Sequence, residues 1–198
     1  MKKNIAIFAS GEGSNAFAIS QYFAGRRDVT IKILLSNKSN VAVHAKMQSM
    51  NIPSVTFSRE QWQQADEVLE LLRANDIDLI VLAGFLCIIP DAIIDAYQGR
   101  IINIHPSLLP RHGGPGMWGH HVHKAVIDAG DTQSGITIHH VMTEVDGGEI
   151  IFQASCQVMH DDTPDTLAAR IHALEHAHYP VVIESLLSQL KRNVSKHD

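Results

Sequence analysis

The sequence predicts an α/β fold in which helices cover both faces of a mostly parallel sheet. Short apolar runs alternate with segments of helical pattern, which is typical of parallel strands joined by helices. A glycine-rich turn follows the first apolar run, and only a short loop separates the last two. The 198 residues suit one large domain, and the hydrophobic content of 45% is that of an ordinary globular chain.

The predicted strands are short apolar runs rich in Ile, Val and Leu. They are Ile5–Ala9, Ile31–Ser36, Leu79–Ala83, Ile101–His105, Gly135–Val141 and Ile150–Val158. The first four alternate with helices, so we expect them to be parallel. The short loop 143–149 predicts an antiparallel pair for the last two. The expected fold is a Rossmann-like, three-layer α/β/α fold, mostly parallel with an antiparallel C-terminal extension.

Helical segments lie between these runs and carry recognisable end signals. The predicted helices are Ser14–Phe23, Val41–Met50, Ser58–Ala74, His120–Ala129 and Thr163–Leu190. Ser58 and Gln61 have the spacing of a capping box, and Gly130 is a natural helix stop. The segment 163–165 supplies a cap, a first-turn proline and an acid that complements the helix dipole. Because ligands of such sheets bind at the carboxyl ends of the strands, we expect the site there.

Charge and composition argue against several classes of function. A net charge of −5 leaves no basic footprint for nucleic acid. Cys87 and Cys156 form no CxxC pair, which favours a reducing compartment over zinc or redox chemistry. The N-terminal apolar run of about five residues is too short for an export signal, and no stretch approaches the ~20 residues of a membrane span. We expect a soluble, cytoplasmic monomer or homodimer with no nucleic-acid or membrane partner.

The first predicted strand runs into Ser10-Gly11-Glu12-Gly13-Ser14-Asn15 and then into a helix. Glycines let the backbone approach a ligand, and a helix N-terminus offers free N–H groups and a partial positive charge. The segment lacks the third glycine of a dinucleotide fingerprint and the Gly-Lys-Ser/Thr end of a Walker loop. It can be read as a tight turn with Ser14 as N-cap, or as a site for one phosphate monoester.

The fourth predicted strand ends in Asn103-Ile104-His105-Pro106. Strand alternation puts Asn103 and His105 on one face, and Pro106 ends regular pairing because it has no N–H to donate. Asn can donate a hydrogen bond to a developing oxyanion, and His can donate one or carry a proton. Most of the thirteen histidines are expected to be surface or packing residues, but the pairing with Asn103 favours a catalytic role for His105.

A carboxylate, Asp146, lies in the loop between the last two predicted strands. Asp-Gly-Gly would form an acidic hairpin turn without any further role. The functional interpretation brings Asp146 close to His105, where its charge would raise the imidazole pKa and favour the cation. The spacing along the sequence leaves both interpretations open.

Several segments together resemble a known family. They are residues 10–15, Ser36-Asn37-Lys38, Leu82–Phe85, Asn103–Pro110, Asp146–Gly148 and Glu175–Pro180. In this order they resemble the phosphoribosylglycinamide formyltransferases over essentially the whole chain. The string Asn-x-His-Pro-Ser-Leu-Leu-Pro is typical of folate-dependent formyltransferases in general, and the Gly-Ser-Asn loop narrows the resemblance to this family.

The resemblance implies direct transfer of a formyl group from 10-formyltetrahydrofolate to the primary amine of glycinamide ribonucleotide, without a metal. It implies a single formyltransferase domain over residues 1–198, whose N-terminal half binds the ribonucleotide and whose C-terminal half binds folate. Asn103, His105 and Asp146 would be the catalytic residues. Asn103 and protonated His105 would stabilise the tetrahedral oxyanion, and Asp146 would keep His105 charged.

The resemblance also implies two sets of binding residues. The ribonucleotide set is Gly11, Glu12, Gly13, Ser14, Asn15, Arg59, Gly84 and Glu175. The folate set is Leu86, Cys87, Ile88, Ile89, Asn103, Met142, Thr143 and Asp146. Without the resemblance, Glu175 would be read as a helix-surface carboxylate and Arg59 as an ordinary residue of a helix start.

Two departures from the family pattern stand out. Leu86-Cys87 replaces the Met-Arg of many relatives, so only backbone contacts to folate are expected to persist there. The segment 111–119 is longer and richer in glycine than in many relatives, and we expect a mobile flap near the folate entrance. The neighbouring histidines 120, 121 and 123 have no Cys or carboxylate partner in their segment, which disfavours a metal site.

Four other functions fit the sequence less well. A formyltransferase acting on tRNA would be expected to carry an extra C-terminal domain and a basic surface. A formyltetrahydrofolate hydrolase would carry an N-terminal regulatory domain. A non-enzymatic binding module would not require Asn103, His105 and Asp146 together, and a dinucleotide-dependent oxidoreductase would show the complete glycine fingerprint.

Overall fold

The computed structural model describes residues 2–190 of the chain; Met1 and residues 191–198, which the predicted domain includes, lie outside the described part. The strands are β1 Lys3–Phe8, β2 Val29–Ser36, β3 Ser54–Thr56, β4 Leu79–Leu82, β5 Ile101–His105, β6 Gln133–His140 and β7 Ile150–Gln157. The helices are α1 Ser14–Phe23, α2 Ala42–Ser49, α3 Arg59–Gln64, α4 Asp66–Ala74, α5 Asp91–Ala96, α6 His120–Asp128 and α7 Pro164–Gln189.

The strands form one seven-stranded sheet in the order β3-β2-β1-β4-β5-β6-β7. Strands β1 to β5 pair in parallel, and β6 is antiparallel to both β5 and β7. This confirms the predicted fold class, including the antiparallel C-terminal extension. Strands β2 and β3 lie on one side of β1, and β4 and the later strands lie on its other side. This reversal in strand order opens a crevice at the carboxyl ends of β1 and β4.

Each face of the sheet is covered by its own hydrophobic core. In β1, Ile5 and Ile7 pack on the face covered by α1 and α7, whereas Ala6 and Phe8 pack on the face covered by α3, α4 and α5. All four side chains are fully buried. A strand buried on both faces is apolar at successive positions, which is why β1 reads as a continuous run in the sequence.

The structure departs from the predicted elements in three places. The helix predicted over Ser58–Ala74 is two helices, because Ala65 has a φ of 62° and interrupts the ladder. Residues 62, 65, 68, 69 and 72 are all buried, so the helical period continues across the break and the sequence pattern does not reveal it. Strand β3 has three residues and helix α5 has six, which is too short for a detectable period.

Helix α7 is anchored to the sheet by a buried tyrosine. The hydroxyl of Tyr179 donates to the backbone carbonyl of Leu82, at 2.9 Å, and lies 3.4 Å from that of Ile102. Tyr179 is fully buried, so no water replaces this bond. The contact fixes α7 against β4 and β5.

We expect Tyr179→Phe to lower the free energy of unfolding by about 1–3 kcal/mol, because buried carbonyls lose their hydroxyl partner. Urea denaturation would measure the difference. The matched control is Tyr97→Phe, since Tyr97 is also buried but its hydroxyl has no hydrogen bond among residues 2–190. An unchanged midpoint for Tyr179→Phe would contradict the anchoring role.

No helix within the described residues is long and apolar enough to cross a membrane.

Candidate active site

A cavity of about 650 Å³ lies at the carboxyl ends of β1, β4 and β5. Its wall is formed by residues 11–15, 82–89, 103–106, 114–119, 141–146 and by His123, His139, His172 and Glu175. This volume lies within the range of sites for small-molecule ligands. The cavity therefore joins the glycine-rich loop, the end of β5 and the loop before β7, as the sequence predicts.

The glycine-rich loop turns directly into the N-terminus of α1. Gly13 has a φ of 69°, and an added Cβ would lie 2.2 Å from Cγ2 of Val43, so only glycine fits. Gly13 caps the helix without a side-chain bond, and Ser14 is the first helical residue. The interpretation of Ser14 as N-cap is therefore wrong, because the turn needs a left-handed residue at the cap. The N–H groups of this first turn are available to an anion.

Asn15 and Glu175 form a buried pair in the cavity wall. The Asn15 side-chain amide donates to Oε2 of Glu175 at 2.8 Å, and the two residues are 8% and 5% exposed. Burial raises the pKa of Glu175. Glu175 is thus not the surface carboxylate that its sequence context suggests. The bond to Glu175 uses one hydrogen of the Asn15 amide, and Asn15 Oδ1 is buried without a hydrogen-bond partner among residues 2–190. The backbone N–H of Asn15 faces a ligand at the helix N-terminus.

Asn103, His105 and Asp146 meet in this cavity. Nδ1 of His105 lies 3.5 Å from Oδ2 of Asp146, and both side chains are largely buried. Nε2 of His105 donates to the backbone carbonyl of His112 at 2.8 Å. Asp146 has a φ of 57°, and its Oδ2 accepts from the Gly114 N–H at 2.9 Å. The structure therefore brings the predicted acid and imidazole together and orients both.

His139 joins this cluster and was missed by the sequence analysis. It pairs with Asn103 across β5 and β6, and its Nε2 lies 3.2 Å from the Asn103 amide nitrogen and 3.6 Å from Oδ1 of Asp146. Its Nδ1 lies 2.8 Å from the carbonyl of His140. Nδ1–H donates to that carbonyl, and Nε2 faces both the Asn103 amide and the Asp146 carboxylate. The adjacency of β5 and β6, which the sequence did not predict, is the only signal that would have revealed this contact.

The electrostatics of the cluster differ from the expectation. Burial lowers the pKa of His105 below 6.5, although the Asp146 charge and the His112 carbonyl act in the opposite direction. Burial works to raise the pKa of Asp146, but contact with His139, the charge of His105 and the Gly114 N–H lower it overall. Asp146 acts on the His105 pKa in the predicted direction, but burial outweighs the carboxylate, so the expected cationic form is not favoured. At neutral pH, His105 is mainly neutral and Asp146 is ionised.

The predicted folate residues line the same cavity. Leu86, Ile88 and Met142 are 48%, 75% and 57% exposed, so they form an apolar rim; Cys87, Ile89 and Thr143 lie in the wall beside them. Burial raises the pKa of the Cys87 thiol. Their roles, and those of Gly11, Glu12 and Gly84 in the wall, stay predictions.

Arg59 and the predicted flap stand partly outside the cavity wall. Arg59 is an exposed residue at the start of α3 and is not part of the wall, although its charge acts on the Cys87 thiol there; its role stays a prediction. The part of the predicted flap that reaches the wall is 114–119, including the half-exposed Trp118; its mobility stays a prediction. Within residues 2–190, no group of three or more His, Cys, Asp or Glu side chains is arranged to hold a metal ion.

Sequence comparison identifies the class of protein to which this site belongs. Residues 3–183 match the profile of the formyl transferase family. Because the match spans most of the chain, the protein belongs to this family, as the sequence motifs predict.

The more specific similarity is to one enzyme of that family. The phosphoribosylglycinamide formyltransferase of Bacillus subtilis strain 168 is 37% identical over 190 residues, which cover 93% of this chain and 95% of that protein. The chloroplastic enzyme of Arabidopsis thaliana is 36% identical over 95% of this chain, which spans 66% of that longer protein. The crystal structure of the Bacillus halodurans enzyme superposes with a TM-score of 0.85 at 36% identity and covers 96% of this chain and 97% of its own.

Proposed function

We propose that this protein transfers the formyl group of 10-formyltetrahydrofolate to the amine of glycinamide ribonucleotide in purine biosynthesis. The observation that carries the proposal is the meeting of Asn103, His105 and Asp146 in the cavity that also contains the N-terminus of α1. The relatives named for this enzyme cover nearly the whole chain. An anion site and an acid–base cluster in one cavity suit a phosphorylated amine as acceptor.

The ribonucleotide is proposed to bind with its phosphate at Gly13, Ser14 and Asn15. The backbone N–H groups of the first turn of α1 would donate to the phosphate oxygens, and the helix dipole favours the negative charge. Glu175 faces the same cavity and holds the Asn15 side chain. Its carboxyl oxygens can accept hydrogen bonds from the ribose hydroxyls or the amine.

The folate donor is proposed to bind at the apolar rim. Leu86, Ile88 and Met142 expose large apolar side chains there, and a flat heteroaromatic ring would remove this surface from water. Trp118 lies in the same wall and adds an aromatic face. The proposed donor supplies the formyl group, and no metal is required for its transfer.

His105 is proposed to move the proton during transfer. With its Nε2–H held by the His112 carbonyl, the neutral ring presents the lone pair of Nδ1 toward Asp146. Nδ1 would accept the proton of the attacking amine and return it to the departing nitrogen. Asp146 would stabilise the imidazolium that forms in between. This role starts from neutral His105, unlike the cationic form that the sequence predicted.

Asn103 is proposed to stabilise the oxyanion of the transfer. One hydrogen of its amide points to Nε2 of His139, which leaves the second hydrogen for the developing negative charge. A donor fixed by a neighbour in this way needs no reorganisation during the reaction. His139 thereby keeps the Asn103 amide in a productive orientation.

The cytoplasmic location, the monomeric or homodimeric state and the absence of a nucleic-acid partner stay predictions. The relatives include chloroplastic enzymes from two plants, so the compartment varies within the family.

The Ser14 hydroxyl is proposed to donate to the phosphate beside the backbone N–H groups. We expect Ser14→Ala to weaken binding of glycinamide ribonucleotide by about tenfold, because this side-chain hydrogen bond to a charged group is lost while the backbone N–H groups remain. The affinity for folate should stay unchanged. Calorimetric titration with each substrate would measure both. The unphosphorylated glycinamide riboside is the matched control, since the variant and the natural protein should bind it equally. A loss confined to folate would contradict the phosphate placement.

An acceptor-dependent assay tests the proposed function. Folate product formation from 10-formyl-5,8-dideazafolate is followed by absorbance, with glycinamide ribonucleotide, with its riboside and with no acceptor. The proposal expects rapid turnover with the ribonucleotide alone. Equal rates with and without acceptor would indicate a hydrolase, and the absence of turnover throughout would contradict formyl transfer.

A further inference from the structure

The orientation of His105 depends on one backbone carbonyl. His112 O accepts the Nε2–H of His105 at 2.8 Å, and this bond places the hydrogen of the neutral ring on Nε2. Nδ1 then faces Oδ2 of Asp146 at 3.5 Å. If the carbonyl turned away, the ring would lose the partner that selects this tautomer, and Nδ1 would no longer be a fixed proton acceptor.

The residue that supplies this carbonyl has a demanding backbone conformation. His112 has a φ of 53°, a left-handed conformation that is uncommon for a non-glycine residue. It is followed by Gly113 and Gly114, which restrain the backbone little. Such a conformation persists only where neighbouring groups hold it. The structure therefore needs a support for His112 outside the loop itself.

Asp131, in the turn between α6 and β6, supplies that support. Its side chain is 7% exposed, and Oδ2 lies 2.8 Å from Nε2 of His112. Oδ1 contacts the Arg111 guanidinium, and Ser107 donates to the Arg111 carbonyl at 2.7 Å. The hydrogen bond with His112 holds the pKa of Asp131 low. As a carboxylate, Asp131 can only accept, so Nε2–H of His112 donates to it.

A small cavity lies beside the hydrogen bond between Asp131 and His112. A second cavity of about 160 Å³ is lined by Ser107, Arg111, His112, Asp131 and Ser134, among others. None of the residues that line this cavity belongs to the wall of the proposed active site. A loop next to such a space has room to change conformation unless the carboxylate retains it.

We propose that Asp131 is a positioning residue for the catalytic histidine: it holds the side chain of His112 so that the His112 carbonyl fixes the tautomer of His105. The chain of contacts runs from the Asp131 carboxylate to the His112 ring, through the His112 backbone to the His105 ring. Its effect on turnover rests on the proposed function; its effect on the tautomer does not.

Titratable and charged groups surround both the His105 ring and the Asp131 carboxylate. His105 is surrounded by Asp146, by His139 on β6, by His112 and by His123 on α6. The groups that face the Asp131 carboxylate are Arg111 and His112. Asp131 itself does not contact His105; His112 is the residue that contacts both.

The test combines histidine NMR with kinetics on the full chain. In ¹⁵N-histidine-labelled protein, His105 is expected to carry its hydrogen on Nε2 at neutral pH. Asp131→Asn should convert this signal to a mixture of tautomers. It should also lower kcat by about 10- to 100-fold, as loss of alignment does, with both KM values within about twofold of the natural protein.

Two further variants separate positioning from folding. Asp128→Asn is the matched control, because Asp128 is an exposed carboxylate at the end of α6, close to Asp131 in the sequence, and pairs with Lys124. The His105 signals and kcat of this variant should not change. His112→Asn retains a residue that tolerates a positive φ and should reproduce the tautomer mixture. Thermal unfolding shows whether each variant is folded under assay conditions.

The outcomes are distinguishable. An unchanged His105 tautomer and unchanged kcat in both folded variants would overturn the positioning role. If the natural protein transfers no formyl group, the proposed function fails, while the NMR signals still decide whether Asp131 fixes the His105 ring.

Discussion

Replacing His105 by alanine is expected to lower kcat by about 10²- to 10³-fold, the range associated with a general acid–base or an oxyanion donor. The ring lies 3.5 Å from Asp146 and is held by the His112 carbonyl, so no described neighbour takes over its position. Because the proposed phosphate and folate regions do not depend on this side chain, the dissociation constants of both substrates should change little. Steady-state kinetics and calorimetric titration measure the two quantities separately.

The pH dependence gives the same prediction a second readout. Burial lowers the pKa of His105 below 6.5, and the proposed mechanism requires the neutral ring. Activity of the natural protein should therefore be full at neutral pH and fall only as the pH decreases through this lowered pKa. His160→Ala is the control, since the His160 side chain is 97% exposed. Near-normal turnover in His105→Ala, or activity that falls as the pH rises through this pKa, would contradict the role.

Asp146→Asn is expected to lower kcat by about 10²- to 10³-fold, because the imidazolium formed during proton transfer loses its carboxylate. The substitution suits the backbone, since Asn tolerates the positive φ of this position. Its amide oxygen can still accept from the Gly114 N–H. The loss would therefore reflect charge and not a rearranged loop.

Asp146→Asn should also change the pKa of His105 in a known direction. The Asp146 charge acts to raise the pKa of His105, so its removal should lower that pKa further and move the acid limb of activity to lower pH. Asp161→Asn, at a 77% exposed carboxylate, should leave both kcat and the limb unchanged. A limb that moves to higher pH would show that Asp146 does not act on His105 by its charge.

The fold could be predicted where local sequence determines it. Strand β1 is apolar at successive positions because both of its faces are buried, so it can be predicted from its residues alone. Glycine is required at position 13 by the close approach of Val43 from α2, a tertiary contact that the local sequence does not show. The predicted bounds of α1 and of β5 agree with the structure. The break at Ala65 was missed because it leaves the burial period intact.

The site was harder to predict from the sequence than the fold, because it is assembled from segments far apart along the chain. Asn103 and His105 could be paired by strand alternation, whereas Asp146 was placed beside them through the family resemblance. His139 could not be found without knowing that β6 lies next to β5. The lowered pKa of His105 is a property of burial in the folded protein, which the spacing of acid and imidazole along the chain does not express.

The most direct test of the central claim follows the formyl carbon itself. The protein is incubated with a donor labelled with ¹³C in the formyl group and with glycinamide ribonucleotide, and the products are observed by ¹³C NMR. The label should appear in the formamide of the ribonucleotide, and this signal should require both the phosphate and His105. Label recovered as free formate at the same rate with and without the ribonucleotide would contradict it.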